Sequence, residues 1–102
     1  MQFSTNKVYA KFYKIKNIEI VEPYELSFNK LHAIDKAFIS AFHELTLKIT
    51  SAEDSNKLKN IKLDTIKSLV HSFSIVDEKF VNNNYFVNFE VDFNKKNVLK
   101  YL

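Results

Sequence analysis

The chain is 102 residues long, enough for one domain, and it has no cysteine and no glycine. The absence of cysteine excludes disulfides and thiolate metal sites, and the absence of glycine excludes the phosphate-binding loops of Walker and dinucleotide-binding proteins. The formal net charge is +3, but all 15 basic residues are lysine, which lacks the bidentate geometry that arginine brings to phosphate and guanine. Composition by itself therefore gives little support for a nucleic-acid partner.

Residues 8–21 are rich in β-branched and aromatic side chains, which predicts an extended strand. The alternation of apolar and polar positions breaks at Lys16 and Asn17, so we expect a bulge or bend there. Asparagine suits such a position because it tolerates a positive φ. Pro23 donates no hydrogen bond to a neighbouring strand, and we expect the strand to end there.

The longest apolar stripe predicts a helix over residues 28–49, with Ser27 as its N-cap. Residues 50–60 are polar and charged, which predicts a solvated loop. Asp64 is then expected to cap a second, shorter helix over residues 65–73. The stripe of the first helix combines large residues spaced by three and four with alanines at every fourth position: Phe28, Leu31, Ile34, Phe38, Phe42, Leu45 and Ile49, beside Ala33, Ala37 and Ala41.

The last third of the chain has the pattern of a β-hairpin. We expect strands over residues 74–81 and 85–93, joined by the three asparagines at 82–84, which accept the positive φ of a tight turn. The second of these strands alternates strictly between apolar and polar residues, so one face should be buried and the other wet. Asn94 is expected to cap a short terminal helix over residues 95–102, whose first lysines oppose the helix dipole.

These elements predict a single α+β domain over residues 1–102, either complete or excised from a longer protein. Its order is β-α-α-β-β with a short C-terminal helix. The simplest arrangement is a three-stranded, mostly antiparallel sheet with two helices packed on one face. No stretch approaches the roughly 20 apolar residues of a membrane span. The N-terminal residues lack the apolar segment of a signal peptide, so we expect none in the given chain.

The histidines and acids do not predict a catalytic or metal site. His32 and His43 would lie roughly 16 Å apart along one helix, too far to share a metal ion, and His71 belongs to another element. Asp35 is the one unusual acid, because helical geometry places it inside the apolar stripe. It could work as an acid or base with His32, or it could pair with a lysine from a neighbouring strand. No nucleophile or oxyanion donor accompanies it, so we expect no enzymatic activity, metal or cofactor.

Lysines and aromatic residues alternate along the first strand. Such a surface suits nucleic acid, but lysines on an edge strand also protect a sheet from edge-to-edge aggregation, and we favour that interpretation. The outward side chains of the last strand include Glu90 and Asp92, and an acidic face disfavours RNA. The candidate interaction surface comprises Lys7, Tyr9, Lys11, Tyr13, Lys14, Lys16 and the exposed aromatic Phe86.

Three groups of residues carry a family resemblance: the entry strand at 16–20, the small and large apolar residues of the first helix, and the core positions of the last third. The second group consists of Ala33, Ala37, Phe38, Ala41, Phe42, Leu45 and Ile49. The third group consists of Ile66, Val70, Phe73, Ile75, Tyr85, Val87, Val91, Asp92, Phe93 and residues 98–102. Together they resemble a family of proteobacterial cell-envelope domains of unknown function. The resemblance covers the chain from about residue 12 onward. It implies an exported, non-catalytic module of the periplasm or cell envelope, often one part of a longer protein.

The sequence thus favours a binding or assembly module that acts through sheet edges or an exposed helix face, where main-chain pairing supplies affinity. Its partner would be another protein or a second copy of the chain. The alternative is weak, nonspecific nucleic-acid binding through the lysine-rich first strand.

Overall fold

The computed structural model describes residues 11–101, without the side chains at positions 52 and 59. In that range the protein is an α+β domain with one three-stranded antiparallel sheet and four α-helices. The predicted fold class and the predicted antiparallel sheet are therefore confirmed. A 3-10 turn, Leu58–Asn60, lies between the second and third helices. In chain order the elements are β1 (Phe12–Pro23), α1 (Lys30–Ile49), α2 (Ala52–Lys57), α3 (Leu63–Leu69), β2 (Val70–Val81), β3 (Asn84–Asn94) and α4 (Lys95–Tyr101).

The strand order is β1-β3-β2, so β3 is central and pairs antiparallel with both neighbours. The alternating pattern of β3 buries one whole face of the strand, formed by Tyr85, Val87, Phe89, Val91 and Phe93. The predicted turn is confirmed, because Asn82 and Asn83 have φ values of 52° and 63° and take the place of glycine. The hairpin therefore supplies the floor of the hydrophobic core.

The predicted irregularity in β1 is also confirmed. The register with β3 shifts between Ile15 and Ile18, and Asn17 there has a φ of 60°. Ile15 and Ile18 are an odd number of positions apart and would lie on opposite faces of a regular strand. The extra residue of the bulge places both of them on the buried face. The strand ends at Pro23 as expected. The first residues of the predicted strand, 8–10, lie outside the described residues.

Helix α1 packs over the buried face of the sheet. Ala33, Ala37 and Ala41 have no exposed surface, and more of the α1 backbone lies near β1 than near any other element. The larger residues beside them reach β3, where the rings of Phe42 and Phe93 lie 5.9 Å apart between centroids. Fully buried alanines and a ring contact to β3 thus both belong to the packed face of the helix.

The predicted start of α1 is wrong by two residues. The N-cap is Asn29, whose side chain accepts a hydrogen bond of 2.9 Å from the backbone of Leu31. Ser27 lies outside the helix, because the Phe28 N–H donates to the Glu25 carbonyl and closes a preceding turn. Asparagine and serine are comparable caps, and the turn decides between them.

The predicted loop at 50–60 is wrong, since it contains α2 and the 3-10 turn. Ser51 caps α2 by accepting a hydrogen bond of 3.1 Å from the backbone of Asp54. The hydroxyls of Ser55 and Thr46 form a buried hydrogen bond of 3.2 Å that holds α2 against α1. This short helix has no apolar stripe, so periodicity could not reveal it.

The predicted second helix is too long. Helix α3 begins after Lys62, which is the N-cap residue, and Asp64 lies in its first turn without capping it. Residues 70–73, expected to be helical, belong to β2, where Val70 pairs with Phe93 and Phe73 with Val91. Pairing with β3 overrides the helical spacing. The prediction that Asn94 caps the terminal helix is confirmed by a 3.0 Å hydrogen bond from the backbone of Asn97.

Replacing Ala37 by leucine tests the close approach of α1. Ala37 is fully buried, so a larger side chain has no room there. We expect Ala37→Leu to lower the free energy of unfolding, measured in urea, by about 1–3 kcal/mol. Ser40 is exposed on the same helix, and Ser40→Leu should change that free energy by less than about 0.5 kcal/mol. Equal effects of the two substitutions would contradict tight packing at the alanines.

Candidate functional site

The face of β2 that points toward the helices is left largely uncovered. Phe73 pairs with Val91 and Phe80 pairs with Tyr85 across the sheet, so each pair lies on one face. Val91 and Tyr85 are fully buried, whereas Phe73 is 40% exposed and Phe80 is 57% exposed. The helical layer therefore covers β1 and β3 but not the third strand.

Helix α1 touches β2 at two places. Lys30 Nζ lies 3.2 Å from Glu78 Oε2, and the rings of Phe38 and Phe73 pack edge to face with centroids 5.3 Å apart. Leu31 lies on the helix between these contacts and is 66% exposed. We call the apolar surface along this part of α1 and β2 the β2 groove; its residues are Leu31, Ile34, Phe73, Ile75 and Phe80.

The free edge of β2 continues this surface. Every residue of the strand except Val70 and Ile75 is exposed. Register shifts interrupt the strand before Ser72 and after Ile75, and residues 72–75 between them carry no charge. Bulges and charged residues protect edges from unwanted pairing, so this short uncharged segment is the part of the β2 edge open to another strand.

The carboxylate of Glu78 connects β2 to β3 and to α1. The Tyr85 hydroxyl donates a hydrogen bond of 2.5 Å to Glu78 Oε2, the oxygen that also faces Lys30. The hydrogen bond from Tyr85, followed by that from Lys30, lowers the pKa of Glu78. Burial, and then the hydrogen bond to Glu78, raise the pKa of Tyr85. The rings of Tyr24, Phe28, Phe80 and Tyr85 form one cluster beside Glu78, with centroid distances of 4.8–5.1 Å between neighbouring rings.

The other face of the sheet is acidic. Lys14 Nζ lies 3.1 Å from Asp92 Oδ1 and 3.7 Å from Glu90 Oε1, and its hydrogen bond to Asp92 raises the pKa of Lys14. Phe86 is half-buried on this face, with Lys79 Nζ 6.0 Å from its ring centroid. A cavity of about 170 Å³ lies beside it, lined in part by Glu19 and Asp77. Lys14 is thus paired with Asp92 and Glu90 of β3, on a face where acidic residues outnumber lysines.

The structure does not gather the predicted interaction residues into one surface. Lys7 and Tyr9 lie outside the described residues. Tyr13 packs against the core from the helix-facing side of the sheet, and Lys95 Nζ lies 5.5 Å from its ring centroid. Lys16 is exposed at the bulge of β1. Tyr13 therefore lies on the opposite face of the sheet from Lys14 and Phe86.

Lys11 instead joins residues from the other end of the chain. The Lys95 N–H donates a hydrogen bond of 3.0 Å to the Lys11 carbonyl, because β1 begins beside the end of β3. Lys11, Lys95 and Lys96 line a groove of about 650 Å³ together with the rings of Phe12 and His71. Those two rings are stacked, with centroids 4.2 Å apart. We call this the basic groove; sequence analysis missed it because it depends on strand pairing.

Asp35 and His32, the hypothetical acid–base pair, have different partners in the structure. Asp35 is partly exposed and pairs with Lys67 of α3 at 3.1 Å, so its partner is a lysine of a neighbouring helix and not of a strand. His32 Nδ1 lies 3.8 Å from Glu22 Oε1, and Glu22 also forms an ion pair with Lys36. The pairs Glu22–Lys36 and Asp35–Lys67 are ion pairs that link β1, α1 and α3.

Two further findings concern metal ions and membranes. Among residues 11–101, no group of three or more histidine, aspartate or glutamate side chains is placed to hold a metal ion. His43 accordingly belongs to no such group in that range. None of the helices in the described part of the chain is long and apolar enough to span a membrane.

No protein-family model, curated protein or solved structure matches this chain. Two surfaces of the structure have the geometry of binding sites: the β2 groove with its free edge, and the basic groove. They lie on different faces of the sheet, because Phe73 packs toward α1 whereas Phe12 pairs with Asn94 at an outward-facing position.

Replacing Tyr85 by phenylalanine tests how Glu78 is held. A lowered folded-state pKa means that the unfolded chain binds more protons just below the usual glutamate pKa, so this contribution to stability is lost as the pH falls through the folded pKa. Tyr85→Phe removes the largest cause of the shift. We expect the pKa of Glu78 in an NMR titration to rise toward its usual value, and acidification to remove less stability than in the parent protein.

Tyr24→Phe is the matched control. Tyr24 belongs to the same aromatic cluster but does not shift the pKa of Glu78. An unchanged Glu78 titration in Tyr85→Phe, or an equal change in both variants, would contradict the role assigned to the Tyr85 hydroxyl.

Proposed function

We propose that the protein is a non-catalytic binding and assembly module that takes up an extended segment of a partner protein along β2. The proposal rests on one observation: Phe73 and Phe80 remain exposed although their cross-strand neighbours on the same face are fully buried. A strand docked beside β2 would gain main-chain hydrogen bonds from the edge and would cover these rings.

The two edges of the sheet differ in a way that favours β2. The β1 edge has a bulge at Asn17, an exposed lysine at Lys16 and a proline at its end, all features that oppose strand addition. Helix α1 also lies close to β1 and leaves less space beside it. The β2 edge has the uncharged segment 72–75, and the β2 groove lies next to it on the helix-facing side.

The two faces beside β2 indicate the chemistry of the partner segment. Its side chains on the helix-facing side would meet Leu31, Phe73 and Phe80, so apolar residues fit there. On the opposite side they would lie near Asp77, with Glu90 one strand further in. A strand with alternating apolar and basic residues therefore suits the site. The segment belongs to another protein or to a second copy of this chain.

The absence of catalysis in this proposal is supported by the partners of the titratable groups. Asp35, Glu22 and Glu78 are each engaged by a lysine. The placement of the module in the bacterial cell envelope belongs to the same proposal and is supported by the sequence resemblance.

A lysine placed on the β2 edge should block the docked strand. We expect Ser74→Lys to weaken partner binding by tenfold or more, about 1.4 kcal/mol, because a charge within the open segment opposes strand pairing. Ser74 is exposed on the edge strand β2, and Val21 is exposed on the edge strand β1. Val21→Lys is therefore the matched control and should leave binding unchanged.

The partner must first be identified. Sedimentation equilibrium of the purified chain detects a second copy through a concentration-dependent mass. If the chain stays monomeric, a photo-crosslinking amino acid at Ser74 in native cells captures the partner, and the same group at Glu19 serves as the control position. Affinities are then measured with purified partner or by dimer dissociation. Crosslinks of equal yield at both positions, or equal losses from both lysine substitutions, would rule out the β2 edge.

Fractionation of the native cells tests the proposed location. We expect the native protein in the periplasmic or envelope fraction, where intact-mass analysis also shows whether this domain is part of a longer product. Recovery of the protein with cytosolic markers alone would contradict the envelope placement and would leave the β2 site to be judged by the binding experiments.

A further inference from the structure

The basic groove lies at the end of the sheet that is farthest from the hairpin turn, where Phe12 pairs with Asn94. We propose that it binds a nucleotide unit, with the phosphate on the lysines and the base on the ring pair formed by Phe12 and His71. This site is separate from the β2 groove, and its test does not depend on the protein partner.

The lysines of the groove are suited to a phosphate. Lys11, Lys95 and Lys96 line the groove, and no lining residue is acidic. Because the ammonium of Lys95 lies against the ring of Tyr13, Lys11 and Lys96 supply the charge for an anion. Within residues 11–101, no carboxylate oxygen lies within 4.0 Å of their ammonium groups, in contrast to Lys14, which is held by Asp92 and Glu90. Unpaired lysines concentrated in a concave surface raise the local concentration of an anion.

The ring pair supplies the second contact. Phe12 comes from β1 and His71 from β2, and they meet across β3 with an interplanar angle of 21°. Phe12 remains exposed and so does Leu99 on α4, so apolar surface is available inside a basic groove. Lysines that follow a phosphate chain, beside an aromatic face that accepts a base, are the combination by which proteins bind single-stranded nucleic acid.

The surroundings favour a single nucleotide unit or a single strand over a duplex. The groove volume of about 650 Å³ fits a small ligand. Beyond His71 the same face of the sheet bears Asp92 and Glu90, whose charges would repel the second phosphate chain of a duplex. A base can also reach the rings only when it is unpaired.

Fluorescence anisotropy with a labelled oligothymidylate of about 12 nucleotides tests the site on the full chain. The affinity should fall as salt rises from roughly 50 to 200 mM, and the double variant Lys11→Glu/Lys96→Glu should weaken binding about tenfold or more. Lys62 is exposed and lies outside the groove. Lys62→Glu is therefore the matched control for Lys96→Glu, because each reverses one charge. Lys62→Glu should change the affinity for the oligonucleotide by less than about twofold.

Phe12→Ala separates stacking from charge. It should weaken oligonucleotide binding roughly 5- to 100-fold and leave the competition by inorganic pyrophosphate unchanged. Phe12→Leu keeps most of the apolar volume but removes the ring, so it distinguishes lost stacking from a disturbed fold. Circular dichroism and thermal unfolding accompany both variants.

Competition by adenosine monophosphate identifies the source of the nucleotide unit. Equal affinities of the mononucleotide and the oligonucleotide would assign the groove to a free nucleotide, whereas tighter oligonucleotide binding would assign it to a single strand. The proposal is overturned by no binding at the lower salt, by equal losses from Lys62→Glu and Lys96→Glu, by tighter binding of duplex than of single strand, or by Phe12 variants that bind like the parent.

Discussion

The close approach of α1 to β1 determines what the rest of the molecule can bury. Three alanines with no exposed surface allow this approach, and the aromatic side of the helix then extends over β3. One helix placed in this way covers two strands, and α3 adds only Ile66 and Leu69 to the core. The exposed rings of β2 are therefore a direct consequence of the helix position.

Asparagine supplies the backbone conformations that glycine provides in most proteins. Asn17, Asn82 and Asn83 are the non-glycine residues with positive φ in the described part of the chain. The first lies in the bulge that keeps Ile15 and Ile18 on one face, and the other two close the hairpin. Left-handed backbone costs asparagine less than it costs other side-chain-bearing residues, so a fold without glycine remains accessible.

Periodicity predicted the long helix, the hairpin and the bulge, because each has several residues that agree on one face. It could not predict α2, where a serine cap and the Ser55–Thr46 hydrogen bond replace an apolar stripe. It placed residues 70–73 in a helix because their spacing suits both a helix and a paired strand. Among the candidate site residues, Lys11 proved to lie in a groove, but its neighbours Lys95 and Lys96 depend on contacts between distant parts of the chain.

The pairing of Phe12 with Asn94 also has a consequence during synthesis on the ribosome. The first strand cannot join the sheet until the central strand has emerged, so α1 must wait with its apolar stripe unprotected. Folds dominated by such distant contacts form slowly, since the chain loses loop entropy before the contacts compensate. The apolar stripe of α1 therefore stays exposed until β3 has been synthesised, and exposed apolar surface of this kind favours aggregation during folding.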